Sequence, residues 1–405
     1  MTTIASDIHT QFLSDDPYSP LVNRILRINH VTWGDEKLSY LVKYYGKLRE
    51  DSQDAYNKLA TSLNPLDVTP LFRNEDGHHT VILIKGVIRP KPSNPIINLV
   101  LFILTLLSVI SMGTWFTYDG PISGSLADIA PYLLPALGRG LAFAASLLGI
   151  LLAHEFGHYF AARYHQTAVT LPYFIPFPFS PFGTMGAFIR MKEPPKNKRI
   201  LLDIGLAGPL AGLVIAVPVL LVGLYLSDLK PLPENQGLYI EGNSILYLLA
   251  KYLVYGQWLP QPLSYEGLHP LVFWIRYLFT GLPIPVGGVD VFLHPVAFAG
   301  WAGLLVTALN LIPAGQLDGG HLIFVLLGHR ARFLLPFVLV VLIALGTVWP
   351  VWWLWAFLIF IVGRIYAEPL DLITPLDPSR KLIAIFGLIV FLLVFTPVPL
   401  RLVGM

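Results

Sequence analysis

Cysteine is absent from the 405 residues. That excludes a disulfide framework, a thiolate nucleophile and any Cys-based metal site, so metal ligands must come from His, Asp or Glu. Charge is scarce as well: 13% of residues are Asp, Glu, Lys or Arg, and the formal net charge is +2. The cations are scattered rather than massed on one stripe, so the electrostatic footprint of a nucleic-acid binder is missing. No internal repeat of fixed period is visible, which argues against the duplicated architecture of many transporters. What remains is apolar. A hydrophobic content of 55% and a mean hydropathy of +0.64 are far from the soluble norm. Such a chain is expected to be a polytopic α-helical membrane protein, in contact with the lipid bilayer over most of its length.

Residues 1–90 differ from the rest, with charges of both signs in nearly equal number. No basic start followed by an apolar run, the pattern of a signal peptide, is visible. Leu38 to Leu48 alternates as a strand does, Glu50 to Leu63 has helical spacing with acidic residues in its first turn, and Thr69 to Arg73 and Thr80 to Ile84 flank a hairpin signal at Asp76-Gly77. The expectation is a small soluble α+β domain of β-α-β-β order, with His78 and His79 exposed in the turn. Arg89 to Pro95 reads as a stiff polar linker, with residues 91–95 as the junction to a membrane-embedded portion, 96–405.

About seven spans follow, at Ile96 to Phe116, Leu141 to Tyr164, Ile200 to Leu226, Val296 to Leu311, Phe333 to Val348, Val351 to Ile365 and Leu382 to Phe395. Arg163, Arg190, Lys192, Lys196, Lys198 and Arg199 cluster after the second span, which makes that end cytoplasmic by the positive-inside rule. Ser244 to Tyr255 and Leu271 to Phe279 read as interfacial or re-entrant helices within a long connection. His269, Asp290 and His294 read there as loop polar groups, and Glu368, Asp371 and Asp377 as solvated charges. Gly205, Gly208 and Gly212, with Ala207 and Ala211, allow close helix packing, and packing alone accounts for them.

The second span carries AHEFGHYFAA, Ala153 to Ala162. On a helix, His154 and His158 lie one turn apart on the same face, so two imidazoles converge on one point as half of a zinc site. Glu155 stands about a quarter turn away, able to reach water at the metal without being a ligand, and is the natural general base. An ionisable cluster in hydrocarbon-like sequence costs several kcal/mol unless paired or metal-bound. Past the fourth span, NLIPAGQLDGGH (Asn310 to His321) ends one helix at Pro313 and Gly315 and begins another at Asp318, whose carboxylate can be the third ligand. Between the second and third spans, Thr170 to Met191 is too rich in proline for a membrane helix. Its segment from Gly183 through Gly186 to Met191 is expected as a short strand or hairpin dipping toward the site, where it would hold an unwound substrate as an added strand.

HEFGH, then a span with GPLAG, then NLIPAGQLDGG resemble the site-2 protease family of intramembrane zinc metalloproteases, over a core from about 141 to 321. The N-terminal stretch TPLFRNEDGHHTVILIKG makes the plastid and cyanobacterial branch the most similar. The resemblance implies His154, His158 and Asp318 as Zn2+ ligands, Glu155 as catalytic acid and base, and Asn310 as a residue near the substrate or intermediate. It implies membrane-spanning substrates such as anti-sigma factors or other membrane-anchored regulators, cleaved in regulated intramembrane proteolysis. A bacterial plasma membrane, with the site toward the cytoplasm, is the expected setting, and a thylakoid-like membrane stays open. One departure is Ala314-Gly315-Gln316, where many members carry a second proline. Two alternatives stand beside this reading, a zinc or cation transporter and a catalytically inactive membrane scaffold. A transporter would be expected to repeat paired His or Asp motifs on several helices, and a scaffold to lack a ligand or the Glu.

Overall fold

The structure, a computed structural model, describes residues 16–403 apart from 35–38, 76, 234–237, 266, 284 and 286. The chain divides into two compact units. One joins the residues up to Lys91 with two distant segments, Lys192–Leu201 and Glu368–Arg380. A short helix α1 (Ser19–Asn23) leads into β1 (Leu26–Trp33) and β2 (Val42–Leu48), followed by α2 (Ser52–Leu63), β3 (Val68–Glu75) and β4 (His78–Lys85). The strands form one antiparallel sheet in the order β1-β2-β4-β3. Asp51 caps α2 by accepting from the Gln53 N–H, and Ala55, Tyr56, Leu59 and Leu63, at helical spacing, form its buried face. That face packs on Tyr44, Phe72, Val81 and Leu83 of the sheet.

The expected β-α-β-β order is therefore short by one strand. β1 is an edge strand of mixed burial with an irregular register between Ile28 and His30, so its alternation is too weak to read from sequence. The strand expected from Leu38 starts at Val42; Leu38 and Asp76 lie outside the described residues. His78 and His79 belong to β4 rather than to the turn, because Glu75 already pairs with His78, and His79 Nδ1 accepts from the Leu48 N–H at 3.2 Å.

The outer strand β3 does not present a bare edge. Leu372 N–H donates to the Phe72 carbonyl (3.0 Å), Phe72 N–H to Leu370 (2.9 Å), and Asp371 N–H in turn to Lys196 (2.8 Å). Asp371 is thus not a solvated charge: it is 1% exposed and accepts from Ser52 Oγ (3.0 Å), from the N–H groups of Ile373 (2.8 Å) and Thr374 (3.1 Å), and from the Thr374 hydroxyl. Four donors satisfy its desolvated carboxylate.

The other unit is helical. Its elements are α3 (Pro95–Thr117), α4 (Leu126–Tyr164), the hairpin β5 (Tyr173–Pro176) and β6 (Thr184–Phe188), α5 (Lys198–Tyr225, whose first residues belong to the other unit), β7 (Asp228–Pro231), β8 (Leu238–Glu241), α6 (Ile245–Tyr255), α7 (Pro270–Thr280) and β9 (Val289–Phe292). They are followed by α8 (Pro295–Asn310), α9 (Asp318–Leu327), α10 (Leu335–Gly346), α11 (Val351–Val362), α12 (Pro378–Val394) and β10 (Leu400–Val403). Four helical stretches among the described residues are long and apolar enough to cross a membrane: α3, α4, α5 and Asp318–Gly346, in which α9 and α10 are joined by a 3-10 segment. Of the other expected spans, α8 has 16 residues and α11 has 12, about 24 and 18 Å of helix against roughly 30 Å of hydrocarbon. Helix α4 begins well before the expected Leu141, at a capping box where Ser125 and Asp128 bond reciprocally, and it runs through Pro131 and Pro135. Asp290, expected as a loop polar group, lies in β9 and is 2% exposed. His269 and His294 cap α7 and α8 by accepting from Leu271 and Val296 N–H.

Candidate metal centre

His154 and His158 are successive turns of α4 on its buried side, 3% and 6% exposed. Their rings meet edge to face with Nε2 atoms 3.2 Å apart. Asp318, the first residue of α9, brings Oδ2 to 3.4 Å from each of those nitrogens. One tetrahedral ion with ligand bonds of about 2.0–2.1 Å sets its donors roughly 3.3 Å apart, so this triangle has the edge length that zinc requires. Without an ion, the three groups could meet in this apolar interior only by holding protons between them. His158 Nδ1–H donates to the Ile204 carbonyl at 2.7 Å, which fixes the tautomer and leaves the Nε2 lone pair for the shared point. Asn310, the last residue of α8, sets Nδ2 3.2 Å from His154 Nε2.

Glu155 is 3% exposed; its Oε2 has no partner among the described residues, and the carboxylate accepts a backbone hydrogen bond from Ile189, just after β6. The hairpin that carries Ile189 pairs Tyr173 with Phe188 and Phe174 with Ala187. It is mounted on α3: Asn98 Nδ2 donates to the carbonyls of Leu171 (3.0 Å) and Pro172 (2.8 Å), and Ser108 Oγ donates to that of Gly183 (2.6 Å). Gly183 has φ +71° and lies against α3, where a Cβ would stand 2.7 Å from Val109 Cα. Gly186 has φ +100° with open space around it. Of the two glycines expected to face a substrate, Gly183 is therefore occupied by the hairpin's own support, and Gly186 is open.

Glycines also explain how the helices reach the site. A Cβ at Gly208 would lie 2.0 Å from His158 Nε2, one at Gly212 3.2 Å from His154 Cβ, and one at Gly205 3.1 Å from His321 Cβ. The small-residue face of α5 is thus the wall of the ligand pocket as well as a packing surface, a role the spacing of Gly205, Gly208 and Gly212 signals only once its partner is known. In the turn before α9, Gly315 takes φ +55° against Gly363, and a Cβ at Gly319 would stand 1.9 Å from the Leu311 carbonyl oxygen. That tight return sets Asp318 beside α4 without the missing second proline. His321, three residues on, is 7% exposed with Nδ1 unpartnered among the described residues, and sequence reasoning assigned it nothing.

The sequence pattern of Peptidase family M50 matches residues 142–347, half of the chain, and encloses every residue of this centre. This chain belongs to peptidase family M50. It is the site-2 protease family of zinc metalloproteases, and zinc is its metal. Similar proteins include the probable chloroplastic zinc metalloproteases EGY1 of Oryza sativa subsp. japonica and of Arabidopsis thaliana, each 28% identical over 95% of this chain. The probable chloroplastic zinc metalloprotease EGY2 of Arabidopsis thaliana is 29% identical over 67% of this chain and 44% of its own length. The chain spans 64% and 68% of the length of the two EGY1 relatives. No solved structure matches it. The apolar helices and the family make this M50 chain an integral membrane protein.

Proposed function

We propose that the chain is an intramembrane zinc metalloendopeptidase that hydrolyses peptide bonds within or near membrane-spanning segments of anchored proteins. The observation that carries this reading is the equal-sided convergence of His154, His158 and Asp318 beside a buried, half-unpartnered Glu155. When bound there, zinc supplies a Lewis acid that polarises a peptide carbonyl and acidifies water. Glu155 accepts the proton of the attacking water and returns it to the leaving amine. Asn310 offers its amide N–H to the carbonyl under attack, and the Ile204 carbonyl holds His158 in its ligating orientation.

A helical substrate must unwind before a peptide carbonyl is reachable. β6 pairs with β5 on one side only, so its other edge can take an unwound segment as an added strand, running past Ile189 and hence past Glu155. The four long helices are four of the seven crossings, and α12 with the shorter α8 and α11, which need a thinned bilayer or protein cover to reach across, are the others. α8 stops at Asn310 and α9 starts at Asp318, so the irregular backbone between them lines the wet site rather than lipid. The unit that the expected 1–90 domain builds together with Lys192–Leu201 and Glu368–Arg380 is read as soluble, with 91–95 as its linker, and the basic residues favour a site toward the cytoplasmic or stromal face. The chloroplastic relatives favour a thylakoid-like membrane over the bacterial plasma membrane expected from the motifs. Substrates are membrane-anchored regulators, with anti-sigma factors as one class.

The test is cleavage of a single-span substrate in liposomes by the wild type and Glu155→Gln, with zinc measured in both. Zinc retained in both, with cleavage down at least about a hundredfold in the variant, is the expected result. Equal cleavage removes Glu155 from the mechanism. Zinc flux across sealed liposomes without proteolysis would favour the transporter.

A further inference from the structure

A second group of buried ionisable side chains lies away from the metal centre, within the same unit. Lys251 of α6 is 0% exposed. Its Nζ lies 3.6 Å from Asp290 Oδ1 and 4.6 Å over the ring of Tyr247, and it makes no hydrogen bond among the described residues. Glu241, the last residue of β8, accepts from the Tyr247 hydroxyl at 2.7 Å and has no ion pair among the described residues. Lys251 thus serves Asp290, and Glu241 has no cation within ion-pair distance among the described residues. Arg401 of β10 does not make up the difference: it donates to the Thr280 carbonyl at 2.6 Å and forms no ion pair with either carboxylate among the described residues. A buried charge without a partner costs several kcal/mol, so an arrangement one cation short calls for an explanation.

The space beside it supplies one. A cavity of about 770 Å³ is lined by Glu241 and Asp290 and by the rings of Phe116, Phe143, Phe292 and Phe298. Its size is that of a small-molecule site, apolar with a few convergent polar groups. Behind Glu241, a second cavity of about 20 Å³, room for one water, is lined by Asn243, which is 5% exposed and has both amide atoms unpartnered among the described residues. The polar groups on both sides of Glu241 are therefore incomplete.

We propose that the larger cavity binds an organic monocation, an ammonium group carried on an apolar body, with Glu241 as its counter-ion and the phenyl rings as its walls. A divalent metal fits less well, since Lys251 stands against Asp290. The Glu241 carboxyl is held up at about 7 by burial and by Asp290, against Lys251. The other groups facing it are Tyr247 of α6, Tyr277 of α7 and Arg401 of β10. An incoming ammonium takes the place of the Glu241 proton, so binding tightens as pH rises through neutrality.

The experiment is calorimetric titration of the purified full chain in an uncharged maltoside detergent with phenylpropylammonium and with its neutral counterpart phenylpropanol. The amine is expected to bind at least about tenfold more tightly than the alcohol. Glu241→Gln should erase that difference with zinc content unchanged, and Leu400→Trp, which fills the cavity, should remove binding of both. Equal affinity for amine and alcohol in the wild type overturns the proposal, as does amine binding that survives both variants. Should Glu241→Gln fail to fold, the wild-type comparison and Leu400→Trp still decide. Repeating the titration in phosphatidylglycerol nanodiscs with and without phosphatidylethanolamine separates the two sources of such a group. Competition by the lipid assigns the site to a headgroup; amine binding unaffected by it assigns the site to a free amine.

Discussion

Gly208 of α5 stands so close to His158 of α4 that a Cβ at position 208 would lie 2.0 Å from His158 Nε2. The same point lies 2.3 Å from His158 Cδ2 and 2.5 Å from Cε1, so a methyl there would press into the face of the imidazole, and its absence lets the ring take its ligating position. Gly208→Ala is expected to cut zinc affinity by at least about tenfold and cleavage with it. Gly138→Ala, on the same helix as His158 but with nothing near the added methyl, should change neither. Zinc content after dialysis, by mass spectrometry, checks both; full zinc in Gly208→Ala would show that α5 gives way and that the glycine is not required.

Ala187 pairs with Phe174 in the hairpin beside Glu155. Proline there removes a backbone donor and stiffens the strand. Ala187→Pro should abolish cleavage of a single-span substrate while zinc stays bound. Unchanged cleavage would mean that the substrate does not lie along β6.

Asp371 gathers donors from Ser52, Ile373 and Thr374, and so ties residues hundreds of positions apart into one unit. Asp371→Ala leaves those buried donors without an acceptor and is expected to destabilise that unit by about 2–4 kcal/mol. Hydrogen exchange should show lost protection at the amides of β3, whose edge this segment covers. Protection equal to the wild type would show that the backbone pairing alone holds the segment.

Stability should also carry the signature of Glu241. Its carboxyl is raised from 4.5 to about 7 by burial, so between these values the folded chain holds a proton that the unfolded chain has released. Its contribution is therefore full below about pH 4.5 and is lost as pH rises through about 7. Thermal unfolding is expected to fall across that window in the wild type and to flatten in Glu241→Gln. Parallel profiles would assign the slope to other groups.

Much of the metal centre was legible from residues alone because its chemistry is local. The spacing of His154 and His158 puts both on one helical face whatever surrounds it, and the Pro313 and Gly315 breaks announce that Asp318 starts a helix. The α+β unit was legible in part. α2 shows a clear helical period, whereas β1 is a half-exposed edge strand whose alternation is blurred, and the coverage of β3 by residues beyond Glu368 has no local signal at all. Asp371 and Asp290 misled for the same reason: a carboxylate in a loop-like stretch reads as solvated unless its partners are known, and those partners, Ser52 and Lys251, lie elsewhere in the chain.

Hydropathy, helical period and ligand chemistry are properties of neighbours, so the order of residues suffices for an apolar, cysteine-free chain with a His-Glu-His turn and a distant Asp. Folding alone brings Gly208 to the ligand pocket, mounts the hairpin on α3 beside Glu155, and pairs Lys251 with Asp290 while Glu241 is left to Tyr247. Those relationships depend on how close two backbones approach and on which polar groups are taken out of water together, and no spacing along one chain encodes either.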